Sequence, residues 1–450
     1  MVSDVGVRRP TQPLAWLCVV LIASSSAATA YAQNDEQILI GPNAALTAGA
    51  VVATVYDGSA TYHNPAGLVT VPGARLDVQG SVLGFRFSRE PRYLVATSGE
   101  SQAGDHFEVI SVPTAAGVVF SLGGEEESPA LGLGVFTTRQ KDQQTRSVLL
   151  AEGQTHDAAR VAFDYLRETT IEVGVGFGVP VSRHVRVGAT LLLPIDTIQD
   201  ITNRASYHED RATGDAVGGV DAESLSDVFV GVSGLLGLLW QPSGLWSVGL
   251  TLRTPRLDYL RIRRDASYTL DAATVTPDIE FAAFDDVNPQ WSWSAVVSEP
   301  AELRFGVARY TDLGWITAEV SLKHRLQSSR AQRNVLVNAR AGIYGNVGDH
   351  VRLGGGFFTD LDPNTGDAAL GRRRHTIIGW SGGLELLTPA TIGGFDLNMA
   401  ANLGLRYGLG FGDVRGVRFD PDQPQAEDVD INSQSTMHDV GIYFGASVTL

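Results

Sequence analysis

Apolar and polar residues alternate strictly over stretches of roughly ten residues, and the pattern returns many times between position 74 and the C-terminus. From Trp315 to Arg325 one face reads Ile316, Ala318, Val320, Leu322 and the other Thr317, Glu319, Ser321, Lys323, Arg325. The same split recurs in 184–195, in Val335–Gly345 and in 395–407. In the last segment Val440, Ile442, Phe444, Ala446, Val448 and Leu450 oppose Gly441, Tyr443, Gly445, Ser447 and Thr449. Side chains on a strand point alternately to its two faces, so each segment is a strand apolar on one side only. Soluble strands average about 5–6 residues, whereas a strand crossing a bilayer obliquely needs about 9–11. These segments have the membrane length.

Laid end to end, the segments predict about fourteen strands, near 74–88, 107–122, 130–142, 167–181, 184–198, 225–241, 246–261, 300–311, 315–326, 335–346, 350–360, 375–388, 395–411 and 437–450. Their connections alternate. Short ones are Ser182-Arg183, Pro242-Ser243-Gly244, Asp312-Leu313-Gly314 and Asn346–Asp349, with Gly123–Pro129 and Pro389–Gly394 somewhat longer. Long polar ones cover 199–224, 262–299, 361–374 and 412–436. Short periplasmic turns, longer outer loops and an even strand count belong to outer-membrane barrels. The fold class expected is therefore all-β, a transmembrane antiparallel barrel. Trp240, Trp246, Trp291, Trp293, Trp315, Trp380, Phe357, Tyr407 and Phe411 fall near strand ends, as a membrane-interface girdle or as ordinary core aromatics.

The N-terminus agrees on compartment. Arg8 and Arg9, an apolar run from Leu14 to Ala23, and Ala30-Tyr31-Ala32 form a signal peptide over residues 1–32, with Gln33 the new N-terminus. The one cysteine, Cys18, lies inside it, after Trp16 and Leu17, which make a poor lipobox. The full chain carries 34 basic and 50 acidic residues, a net −16; losing Arg8, Arg9 and Asp4 leaves 32 against 49, or −17. Such a balance excludes nucleic acid and docking on anionic lipid as partners, and suits water-facing loops. The expected location is the bacterial outer membrane, among its lipids, as a monomer.

Residues 33–73 do not alternate. Ala44, Ala45, Ala48, Gly49, Ala50 and Ala53 lead to Asp57-Gly58-Ser59-Ala60 and then Asn64-Pro65-Ala66-Gly67-Leu68, a short helical stretch followed by tight turns. A barrel of about fourteen strands has a lumen wide enough to leak, and a small folded segment can fill it. The expected organisation is a signal peptide (1–32), an N-terminal hatch or plug (33–73) and the barrel (74–450).

This arrangement, a Gly/Ala-rich stretch, Asp-x-Ser-Ala and Asn-Pro-Ala-Gly-Leu ahead of the first strand, resembles the N-terminus of the FadL long-chain fatty acid transporter family, which includes the toluene and xylene channels. Diffuse matches run further, at Gly237–Pro242, Trp246–Leu250, Arg253-Thr254-Pro255 and Pro300–Gly306. The resemblance implies a plugged fourteen-stranded barrel for passive uptake of hydrophobic small molecules such as fatty acids and aromatic hydrocarbons, leaving sideways through a kinked strand. It also implies a gating role for Asn64, Pro65 and Ala66, which read locally as a turn. The N-terminus departs from the family in lacking a run that folds into the lumen, and the last residue is Leu450 rather than an aromatic.

Arg186, Arg253, Arg304, Arg340, Arg352 and Arg406 fall on the polar faces of their strands. Arg253, Arg304 and Arg340 are candidates for a carboxylate head group. Alternatively, luminal arginines pair with Glu302, Glu319, Glu385 and Asp396 to brace the barrel. No Gly-x-Ser-x-Gly, Walker loop or His-Glu-x-x-His occurs, and His208, His324 and His375 lie outside any catalytic signature, so neither an enzyme nor a metal or other cofactor is expected. Two other readings remain: a non-transporting barrel that anchors a secretion or surface-attachment complex, and an open porin for polar solutes, favoured only if residues 33–72 left the lumen.

Overall fold

A computed structural model describes residues 38–449, apart from 72, 124–127, 273–288, 329–331, 363–372, 393–394 and 424–428. The expected signal peptide (1–32), Gln33, residues 124–127 and Leu450 lie outside the described residues. Fourteen strands, each hydrogen-bonded to its sequence neighbour, form one antiparallel ring. They are β1 (Ala74–Ala96), β2 (Ser101–Ser121), β3 (Ala130–Glu152), β4 (His156–Ser182), β5 (Val185–Asp210), β6 (Ala216–Ser243), β7 (Trp246–Arg253 continuing as Arg256–Ala272), β8 (Gln290–Glu299 continuing as Glu302–Thr311), β9 (Gly314–Lys323), β10 (Leu336–Asn346), β11 (Val351–Asp360), β12 (Arg373–Ile392), β13 (Phe395–Phe419) and β14 (Val429–Thr449). β14 closes on β1, from Arg75↔Thr449 to Arg89↔Thr436.

The alternation has the sense a lipid-facing wall requires. On β9, Ile316, Val320 and Leu322 are exposed while Thr317, Glu319, Ser321 and Lys323 are buried. A soluble sheet buries its apolar face; here the polar face is inside and the apolar one meets the surroundings. Closure leaves no strand edge for hydrocarbon to desolvate, the condition for spanning a bilayer with strands. Trp240 and Trp246 are exposed near the end carrying the short turns, and Trp380 and Phe411 near the other. Trp315 instead turns inward, its ring 5.8 Å from that of Tyr56 and 4.2 Å from that of Tyr344, which removes it from a girdle.

The long connections differ from expectation. Residues 199–224 are the paired continuation of β5 and β6, from Gln199↔Ser226 to Glu209↔Ala216, and 412–418 continue β13 against 429–435 of β14. Beyond the bilayer both faces of a strand meet water, so apolar alternation ends while the backbone ladder carries on. These extensions fold over the outer mouth. Tyr93, Leu94, Leu149, Ala158, Ala162, Val417 and Phe419 share a buried cluster. Asp422 accepts the backbone N–H groups of Gln154 (2.9 Å), Thr155 (2.7 Å) and His156 (3.0 Å) from the β3–β4 tip, donors that hold its carboxyl well below the usual range.

Residues 38–71 lie inside the ring. Gly41 precedes helix α1 (Pro42–Leu46), with Pro42 at the first helical turn, where its missing N–H costs nothing. Helix α2 (Ala60–His63) leads through Asn64 into a 3-10 turn, Pro65–Thr70. Nearly every residue from Leu39 to Val71 is buried against the wall.

Candidate functional site

The inner segment fits because the wall carries glycine at several inward positions where the two approach most closely. Inward positions Gly188 on β5, Gly249 on β7, Gly306 on β8, Gly342 on β10 and Gly356 on β11 face its backbone, and Gly237 on β6 faces the Asn64 and Pro65 side chains. A Cβ at Gly237 would stand 2.8 Å from Pro65 Cδ, one at Gly249 2.9 Å from Ala53 Cα, and one at Gly342 2.7 Å from Thr47 Cβ, all closer than packed atoms tolerate. Glycine here permits close approach of two backbones. At these positions segment and wall are in direct contact.

Asn64 joins the two. Its Nδ2 donates to Val52 O (2.8 Å) within the segment and to Leu238 O (3.2 Å) on β6, and its Oδ1 accepts from Ala66 N (3.1 Å), capping the 3-10 turn. Pro65 opens that turn, and Pro65 and Ala66 face Gly188. The motif is thus both a turn and a contact with the wall. Glu319 of β9 accepts the N–H groups of Val51 and Val52, each at 3.0 Å. Asp77 of β1 accepts Gly58 N at 2.6 Å while Arg75 clamps it in a fork. Within the segment, Asp57 takes Ser59 N and Asn43 Nδ2. Burial, and after it the Asp77 carboxylate, pushes the Asp57 carboxyl up to about 6. His63 Nε2 meets Ile40 O at 2.7 Å, and burial followed by Arg304 pushes the imidazole down to about 3, keeping it neutral.

All six arginines singled out in the sequence are engaged. Arg253 pairs with Glu172, Arg304 with Glu302 (2.9 Å), Arg340 with Glu319 (3.3 Å), Arg352 with Glu385 (3.2 Å), Arg406 with Asp439, and Arg186 with Gln241 (2.8 Å). Of the expected acids, Glu302, Glu319 and Glu385 hold a partner among these. Arg253 and Arg304 share a small chamber with Tyr62, and Arg253 lies 5.1 Å over the Tyr62 ring. Arg340 stands elsewhere, donating to Gly49 O beneath the segment (3.3 Å). The chamber continues past Glu172, Glu299 and Lys323 to Thr138 and Arg139, so the space beside the segment is charged rather than apolar.

Thr138 and Arg139 belong to a break in the wall that the sequence reading did not locate. The β2–β3 ladder runs from Ser121↔Ala130 to Ala115↔Phe136 and stops. At that point β3 turns inward: Phe136 through Lys141 are all buried, without alternation, and the β3–β4 register slips between Thr137 and Arg139. Further out, side chains reconnect the strands. Glu108 accepts from Asp142 N, and Gln144 N donates to His106 Nδ1 (3.1 Å). Between these levels the β2 and β3 backbones are not laddered, beside the chamber-lining residues Thr138 and Arg139.

A closed fourteen-stranded antiparallel barrel with an inner N-terminal segment and a kinked third strand is the class this geometry defines: a membrane barrel with the FadL-type fold. It is similar in structure to a Pseudomonas aeruginosa FadL homologue (12% identity, 93% of this chain and 99% of that one, TM-score 0.59). It is also similar to the Pseudomonas putida toluene transporter TodX (14%, 93% and 99%, 0.55) and the Ralstonia pickettii toluene transporter TbuX (13%, 91% and 98%, 0.52). No family model and no curated protein matches the chain.

Proposed function

We propose that this protein is an outer-membrane channel for passive uptake of hydrophobic small molecules, with residues 38–71 as its hatch. The observation that carries this reading is the break in the β2–β3 ladder beside the chamber at Tyr62, Arg253 and Arg304. A solute that reaches the chamber meets, at Thr138, a gap in a wall whose outer face is lipid, and an apolar solute gains free energy by passing into it. This protein's similarity in structure to a toluene transporter and a monoaromatic hydrocarbon channel supports the substrate class. Charged walls suit amphiphiles: Arg253 and Arg304 hold a carboxylate while the tail lies toward that gap, as for a long-chain fatty acid. Asn64, Pro65 and Ala66 gate by fixing the hatch to β5 and β6.

Uptake of radiolabelled toluene and oleate by cells devoid of other such channels tests this. The native protein should accelerate uptake, and Thr138→Trp, filling the gap, should slow it at least tenfold at equal folded barrel. Uptake equal to that of empty cells would remove the reading.

A second reading, a barrel that anchors a surface assembly, is favoured by one observation. Strands β3–β6 run 23 to 28 residues, more than twice what crosses a bilayer, and fold over the mouth. In that case the native protein should not accelerate uptake, and deleting 143–166 should abolish surface attachment while the barrel still folds.

A further inference from the structure

The outer end of β13 leaves its place in the ring. Its ladder with β12 stops at Arg373↔Val414, and beyond that point Val417, Arg418 and Phe419 pair in parallel with Leu94, Val95 and Ala96 at the outer end of β1. In the ring β14 stands between those two strands, so their ends can meet only by crossing it. They cross on the inner side: Tyr93, Leu94, Val417 and Phe419 are buried against Ala158 and Ala162, inward positions of β4. Gly416 admits the crossing, since a Cβ there would stand 2.5 Å from Tyr93 O. The chain then reaches the far wall. Arg160 of β4 lies 5.2 Å over the Phe419 ring, Asp422 takes the β3–β4 tip, and His208 Nδ1 of β5 meets Pro421 O at 3.0 Å. From β13 to β5 is six strands round a ring of fourteen, so residues 416–422 span the mouth nearly from side to side.

From this span we infer that Gly416–Gln423 is a lid over the outer mouth, latched by Asp422, which must lift before a solute can reach the chamber from outside. Strand β4 sets the two levels. Its inward positions run from Glu172 in the chamber, through Glu168 and Asp164, to Ala162 and Ala158 under the lid. Tyr93, beneath the crossing, donates to Asp164 and so marks where the two levels meet. The hold is slight. Three residue pairs join the lid to β1, and at its far end one carboxylate takes three N–H groups and the Thr155 hydroxyl (2.9 Å) at a water-exposed tip. Hydrogen bonds open to water are exchanged for water at little net cost, and segments held by few buried contacts open far more often than the whole fold. Burial of Val417 and Phe419 draws the lid down again. The lid rests on the channel reading for its purpose and on the geometry of the mouth for its existence.

Two changes to the full chain, in a Cys18→Ser background, move the lid in opposite directions. Asp422→Ala removes the latch. Gly153→Cys with Asp422→Cys fastens it: a Cβ at Gly153 would stand 2.8 Å from Asp422 Cγ, the position a cysteine sulfur takes, near enough for a disulfide. The first readout is labelling of Thr138→Cys, in the chamber, by a trimethylammonium thiosulfonate added outside intact cells, a reagent too polar to cross lipid. At equal folded barrel, Asp422→Ala should speed labelling at least tenfold. Asp105→Ala, which removes an exposed carboxylate on β2, should leave it unchanged. A rate that Asp422→Ala does not raise overturns the lid, whatever the protein carries. The second readout is toluene uptake, which the oxidised cysteine pair should lower at least tenfold and dithiothreitol should restore. If the native protein accelerates uptake and the oxidised pair does so equally, the lid is wrong and the channel reading stands. If the native protein accelerates nothing while Asp422→Ala still speeds labelling, the channel reading falls and the lid stands.

Discussion

The Asn64 carboxamide nitrogen lies 3.2 Å from the Leu238 carbonyl oxygen on β6, a contact spanning 174 residues of sequence. It also holds Val52 O, so one side chain satisfies a buried and a half-buried carbonyl and caps a turn. Losing an N-cap costs about 1 kcal/mol, and orphaning a buried acceptor a further 1–3 kcal/mol. Asn64→Ala, or the Asn64→Ala, Pro65→Ala double change, is expected to free residues 50–66 to exchange amide hydrogen faster while the barrel keeps its heat-resistant migration on gels. Hydrophobic uptake should fall with it. Unchanged exchange and uptake in the double variant would take the motif out of the mechanism.

Gly237 and Gly249 admit no side chain while the segment is in place. Gly237→Val drives two methyls into Pro65, an overpacking that costs about 1–3 kcal/mol and is relieved by displacing the segment rather than the hydrogen-bonded wall. Ion conductance across planar bilayers reads the result: the native protein should conduct weakly, and Gly237→Val several-fold more. Gly348→Val, facing open space, is the control and should conduct like the native protein.

Two buried groups of the segment give its docking opposite pH dependences. Asp57 is raised to about 6, so between the ordinary carboxyl value and about 6 the docked state binds more protons than the released one, and docking weakens as pH rises. His63 is lowered to about 3, so between about 3 and 6.5 the released state binds more protons, and docking strengthens as pH rises. In Asp57→Asn, hydrogen-exchange protection of residues 40–63 should therefore increase from pH 4 to 6.5; in His63→Gln it should decrease over the same range. The native chain, holding both, should change least.

Strand centres were legible because a lipid-facing wall writes its two faces into the sequence, and all fourteen were found. Their outer ends were not, since residues such as Gln199–Glu209 meet water on both sides and keep only backbone pairing. The break in the β2–β3 ladder left a trace, the loss of alternation at Thr137-Thr138-Arg139-Gln140-Lys141, which reads equally as a strand end. The glycine row was visible as glycine on inward positions, yet only the bound segment shows why. Ion-pair partners such as Glu172 for Arg253 and Asp439 for Arg406 depend on which residues of different strands meet at one height. That is set by strand tilt and stagger, which composition and alternation do not encode.

The chamber arginines separate substrates by charge. Replacing Arg253 alone would leave Glu172 buried and unpaired, which costs several kcal/mol and confuses folding with binding. The Arg253→Met, Glu172→Gln double variant removes both charges together. A charge-assisted hydrogen bond to a carboxylate contributes about 1.5–3 kcal/mol, so oleate binding should weaken about 10- to 100-fold in that variant. Toluene, lacking the carboxylate, should bind within about twofold of native by the same argument. Arg340→Met, Glu319→Gln acts instead on the anchor of Val51 and Val52 and should alter both ligands alike. Equal losses for oleate and toluene in the Arg253 variant would mean that the chamber is structural bracing.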